Sequence, residues 1–209
     1  MGAEKELQSF GDEKLGAKEK EKKLRLFAAV VPDKAVVSAL DALVRGAWDS
    51  NAKVRCLDTV TWHVTLQFLG DVRAARLDDL RLACAYGAGR LRAFRIHFAD
   101  AGAFPTERRA RTVWLGLGKG REQLAALATA LQGEMGKRGF LAEERPFIPH
   151  MTVGQLSAPS DVSVLAERLR TSISDAGIVT DVERVALVQS LMSEDGAQYE
   201  ILDFFPLQS

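Results

Sequence analysis

The five residues Trp62-His63-Val64-Thr65-Leu66 recur far down the chain as Pro149-His150-Met151-Thr152-Val153. In each copy polar and apolar residues alternate, the pattern of a strand with one buried face. Successive strand side chains point to opposite faces, so His63 and Thr65 share a face, as do His150 and Thr152. Val64, Leu66 and Phe68 are expected on the opposite, core-facing side, with Met151 and Val153 in the same position on the second strand. The chain has only three histidines, so composition alone makes two such His-x-Thr runs a rare coincidence.

The pattern around these strands predicts how they are connected. Leu24–Val31 reads as a buried strand, followed by a break at Pro32-Asp33 and a helix to Trp48 with Val36, Val37, Leu40, Leu43 and Val44 on one face. A strand region is expected over Val54–Leu69, a helix over Leu77–Gly87, and strands over 92–104 and Thr112–Leu117. Leu124, Leu127, Leu131 and Met135 mark a helix over 121–138. A strand over Phe147–Leu156, a helix over Val162–Ile173 and a strand pair, Val182–Leu191 with Gln198–Phe204, around Ser193-Glu194-Asp195-Gly196 complete the chain. Short turns between several strands favour an α+β fold with mostly antiparallel pairing over a doubly wound parallel sheet.

Residues 1–23 form a separate unit in which lysines alternate with acidic residues and apolar content is low, the composition of a mobile solvated tail. Residues 24–209 are expected to form a single domain. With 28 basic and 28 acidic residues, the whole chain carries no field that would attract a polyanion. Any such contact needs a local patch, for which Arg108, Arg109, Arg111, Lys119 and Arg121 are candidates. Cys56 and Cys84 lack metal-ligand spacing and are expected to be reduced thiols. No apolar run is long enough to span a membrane and no signal-peptide core opens the chain, so a cytoplasmic protein is expected. The run Gly116-x-Gly118-x-Gly120 lacks the spacing of a phosphate-binding loop.

Two imidazoles facing one cleft can serve as base and acid, since an unperturbed histidine titrates near neutrality. Two threonine hydroxyls beside them can bond the non-bridging oxygens of a phosphate. The chemistry needs no metal or cofactor. A metal site is the alternative, but no carboxylate lies at ligand spacing. His97, on the polar side of its strand, is expected to be structural.

These residues resemble the 2H phosphoesterases, which are named for two His-x-Thr-x motifs. Within them the chain is most similar to the RNA 2′,3′-cyclic phosphodiesterase, or 2′-5′ RNA ligase-like, family. The resemblance runs from Arg25-Leu26-Phe27 through Trp62–Gly70, Gly102–Pro105, Val113–Gly116 and Arg145–Val153 to Tyr199–Leu202 and Phe205–Leu207. It implies a bilobal α+β fold of pseudo-twofold duplicated lobes around a central cleft. RNA ends or cyclic nucleotides are the expected substrates, and a monomer is expected. The resemblance implies hydrolysis of a 2′,3′-cyclic phosphate to a 2′-phosphate, with His150 as base, His63 as acid, and Thr65 and Thr152 on the phosphate. Some relatives join RNA ends through a 2′-5′ linkage, with a 5′-hydroxyl in place of water. Activity on 2′-5′ oligonucleotides and a non-catalytic RNA-end binding role are the alternatives. Relatives usually carry an arginine where this chain has Gln155, which donates a hydrogen bond but has no charge. Ile148 also stands where an arginine is common. Arg145 and Phe147 are further candidates for substrate contact, Phe147 or Trp62 by stacking a base.

Overall fold

The structure is a computed structural model and describes residues 22–48, 54–140, 146–193 and 196–209. The charged N-terminal segment up to residue 21 lies outside the described residues, as do Arg145 and the turn at Glu194-Asp195. In chain order the elements are β1 (Lys23–Val30), α1 (Lys34–Ala47), β2 (Val54–Cys56), β3 (Val64–Arg73), α2 (Leu77–Ala88), β4 (Phe94–Phe104) and β5 (Ala110–Leu117). Then follow α3 (Arg121–Lys137), β6 (His150–Ser160), α4 (Ser163–Ala176), β7 (Val179–Val182), β8 (Arg184–Ser193) and β9 (Gly196–Pro206).

The strands form one nine-stranded sheet in the order β7-β4-β5-β6-β3-β1-β8-β9, with β2 pairing β6 beside β3. Each of these strand pairings is antiparallel, and β4–β5 and β8–β9 are the paired strands that follow each other directly in the chain. One sheet face packs on the helices and carries the main core, including Leu26, Leu66, Phe98, Leu115, Met151 and Val153. The expected apolar stripe of α3 is there, with Leu124, Leu127, Leu131 and Met135 buried. α1 buries Leu40 and Val44, with Val36, Val37 and Leu43 partly buried beside them. The other sheet face carries a small cluster of Phe27, Ala29, Ala186 and Val188, and leaves the rest for the site.

Four expectations need correction. The strand region expected over Val54–Leu69 is broken: Asp58 accepts a hydrogen bond from the Val60 backbone N–H (3.1 Å) and caps a turn of 3-10 helix over Thr59–Thr61 between β2 and β3. The strand expected from Phe147 begins only at His150 and runs to Ser160, because Pro149 has no N–H to pair. The strand expected from Val182 divides at Glu183. Val182 pairs with Phe94 and Arg184 with Pro206, so the chain crosses there from one end of the sheet to the other.

Phe68 is the fourth. Opposite β1, Ala29 pairs with Thr65, Ala28 with Gln67, Phe27 with Phe68 and Leu26 with Gly70. Leu66 and Leu69 are therefore extra residues, and each bulge reverses the alternation. Gln67 turns to the helix side and is buried, while Phe68 joins Thr65 and is partly exposed.

Candidate active site

The two motifs meet at one ladder pair, Val64 opposite Met151. His63 immediately precedes β3 and His150 opens β6, so each histidine lies beside the other motif's threonine: His150 across from Thr65, His63 across from Thr152. The histidines are diagonal neighbours on one face, their side chains rooted about 7–8 Å apart, a gap that a phosphate group fits.

Both imidazoles are held in the same way. His63 Nδ1 donates to the Thr61 carbonyl at 2.7 Å, and His150 Nδ1 donates to the Ile148 carbonyl at 2.7 Å. A carbonyl only accepts, so Nδ1 carries the proton in each ring and Nε2 is free to exchange one. Nε2 of His63 lies 3.0 Å from the Thr65 hydroxyl, which donates to it when the ring is neutral. Among the described residues Nε2 of His150 has no hydrogen-bond partner. Burial is the main cause that pushes both histidines below the ordinary 6.5, opposed by the carbonyl bonds, and the charge of His150 lowers His63 further.

Four aromatic side chains frame the pair. Phe27 stacks on His63 with ring centres 4.7 Å apart, and Tyr199 meets its edge at 5.2 Å. His150 is met edge-on by Phe104 at 5.0 Å and Trp114 at 6.2 Å. The Trp114 ring lies over two glycines, since an added Cβ would come within 2.5 Å of it at Gly102 and 2.9 Å at Gly116. Gly116 is also the residue paired with His150. Sequence reasoning did not single out these aromatics as site residues. The signal available was Gly116, one strand period from Trp114 on the same strand; Gly102 lies opposite Trp114 on β4 only through the sheet pairing.

A cavity of about 710 Å³ opens on the His150 side, lined by Thr65, Phe68, Phe104, Phe147, Ile148 and His150. A niche of about 60 Å³ lies beside His63, walled by Phe27, Val60, Tyr199 and Ile201. Phe147 is thus at the site, whereas Trp62 is fully buried and its indole N–H bonds the Leu57 carbonyl. Gln155 is exposed and on the same face as Thr152: Trp114 pairs with Thr152 and Thr112 with Gln155, so Val153 is a bulge that returns Gln155 to that face. Gly154 faces the helices, where an added Cβ would lie 2.6 Å from Trp48. The arginines at 108, 109 and 111 are exposed around the β4–β5 connection and line neither cavity. His97 pairs with Val179 near the far edge of the sheet and is not part of the site. Cys56 and Cys84 are free thiols, Cys84 buried and pushed up to about 12 by desolvation. Among the described residues, no three His, Cys, Asp or Glu side chains gather as a metal site, and no helix is long and apolar enough to cross a membrane.

The chain is 29% identical over 185 residues to the RNA 2′,3′-cyclic phosphodiesterase of Methanothermobacter thermautotrophicus, covering 88% of this chain and 100% of that one. A protein of the same name from Aquifex aeolicus is 27% identical over 169 residues, covering 80% and 85%. Among solved structures, a Thermus thermophilus protein superposes with a TM-score of 0.73 at 25% identity, over 89% of this chain and 99% of that one. Escherichia coli LigT complexed with 3′-AMP gives 0.69 at 25% identity, over 90% and 100%. The profile of the 2′-5′ RNA ligase superfamily matches residues 32–193, a span that holds both His-x-Thr strands, and the chain belongs to that superfamily.

Proposed function

We propose that the chain hydrolyses RNA 2′,3′-cyclic phosphate ends to 2′-phosphates by acid–base catalysis between its two histidines. One observation carries this reading: two imidazoles on one face, each with Nδ1 tied to a carbonyl and Nε2 left for proton transfer. The relatives named RNA 2′,3′-cyclic phosphodiesterase supply the substrate class.

The phosphate sits between the rings, its non-bridging oxygens accepting from the Thr65 and Thr152 hydroxyls. Nε2 of His150 takes a proton from water as the water oxygen bonds to phosphorus. The bond from phosphorus to the 3′ oxygen breaks, and His63 Nε2 protonates that oxygen, leaving a 2′-phosphate and a 3′-hydroxyl. A 5′-hydroxyl in place of water would form a 2′-5′ linkage using the same groups. Both histidines come from one chain, so a monomer suffices. The free thiols fit a reducing cytoplasm.

The test is hydrolysis of an RNA ending in a 2′,3′-cyclic phosphate with a chelator present. His63→Ala and His150→Ala should each lower kcat by about 10²–10⁴. A 3′-phosphate product, or wild-type turnover in either variant, overturns the proposal.

A further inference from the structure

Beyond Thr152 the cleft face continues as a second polar row. Thr112 and Trp114 are two β5 residues apart, so Gln155, opposite Thr112, lies about 7 Å from Thr152, opposite Trp114. On its other side Gln155 pairs with Arg55 of β2. The neighbouring pair, Val54 and Leu156, is buried on the helix side, so Arg55 projects to the cleft face. Arg55 is exposed, and among the described residues it has no ion pair or hydrogen bond from its side chain. The row Arg55–Gln155–Thr112 thus offers a guanidinium, an amide and a hydroxyl, with no carboxylate among them.

A nucleotide ending in a 2′,3′-cyclic phosphate carries its next anion one ribose away, on its 5′ oxygen. That separation is of the same order as the spacing between the two rows. We propose that Arg55, with Gln155 beside it, binds the 5′-phosphodiester of the terminal nucleotide and so makes an oligonucleotide, rather than a free cyclic nucleotide, the preferred substrate. The guanidinium fork suits two phosphate oxygens, and the charge missing at Gln155 is supplied from the neighbouring strand. This inference rests on the phosphodiesterase reading given above.

The experiment compares adenosine 2′,3′-cyclic phosphate, with a free 5′-hydroxyl, against the adenosine dinucleotide ending in the same cyclic phosphate. In wild type the dinucleotide should have the higher kcat/KM. Arg55→Gln should lower the dinucleotide-to-mononucleotide ratio about tenfold or more. It should also flatten the log–log salt dependence of dinucleotide kcat/KM by about 0.7. Arg55→Lys should restore the salt slope and only part of the ratio, a pattern that a merely structural role would not give. An unchanged ratio in Arg55→Gln overturns the proposal, whether both substrates lose equally or neither does. Should wild type turn over neither substrate, the phosphodiesterase reading fails separately. The affinity of a dinucleotide ending in a 2′-phosphate then decides on Arg55: a tenfold loss in Arg55→Gln keeps the site, and equal affinity removes it.

Discussion

Each imidazole is desolvated and sits below its ordinary 6.5, and each is oriented by a backbone carbonyl rather than a carboxylate. A carbonyl fixes the tautomer without adding the negative charge that would hold a proton on the ring. In the proposed reaction the pair shares one proton, and its two apparent values belong to the pair. In free enzyme that singly protonated form has its maximum on the acid side of 6.5. A bound phosphate anion raises both rings. The pH optimum of kcat/KM should therefore lie below that of kcat, and coincident optima would contradict it. The acid and base roles separate with a phosphodiester whose leaving group is a nitrophenolate, which departs without a proton. Such a substrate should restore turnover to His63→Ala and not to His150→Ala, and the reverse outcome exchanges the roles. Thr65→Val should lower kcat/KM about tenfold and shift its pH profile, since Thr65 also bonds His63 Nε2. Thr152→Val should give the loss without the shift.

Between the residues and the site stand the bulges and the glycines. The extra residues Leu66 and Val153 bring Phe68 and Gln155 to the cleft face, against the simple alternation of their strands. Gly102 and Gly116 let the Trp114 ring lie close over the strands beside His150. Gly102→Ala should cost about 1–3 kcal/mol by overpacking and lower kcat/KM as Trp114 is displaced. Denaturant melts and initial rates would check both effects, and wild-type values in both would show the contact to be slack. These details mark how far the sequence was readable. His63, His150 and their threonines stood out because the strand period puts them on one face, and that period survives between His and Thr in both copies. Past each Thr a bulge intervenes, and a bulge depends on the partner strand rather than on local sequence. Phe27 and Tyr199 were hidden for a related reason. Each sits in an ordinary strand pattern, and only the sheet order brings them to His63.

Across the whole molecule, the strand order runs outward from the β3–β6 pair through β1, β8 and β9 on one side and β5, β4 and β7 on the other. The helix-side core holds both halves, whereas the histidines lie at the ends of the strands that join them. Both histidines bind protons less readily folded than unfolded, so the unfolded chain takes up more protons below 6.5. Their contribution to stability is complete above 6.5 and is lost as pH falls through the lower folded values. Denaturant midpoints should therefore fall more steeply with acidity in wild type than in a His63→Gln, His150→Gln double variant. Parallel curves would show that the rings are not desolvated in solution.

The near-identical tethering of the two rings has a consequence for the order of events in turnover. In the proposed reaction the base ends protonated and the acid ends neutral, with each exchange at Nε2 because each Nδ1 is committed to its carbonyl. Each pass therefore leaves the enzyme in the mirror image of its starting form, the form that would close the ring again. A second turnover then waits until solvent has reset both rings after the product has left.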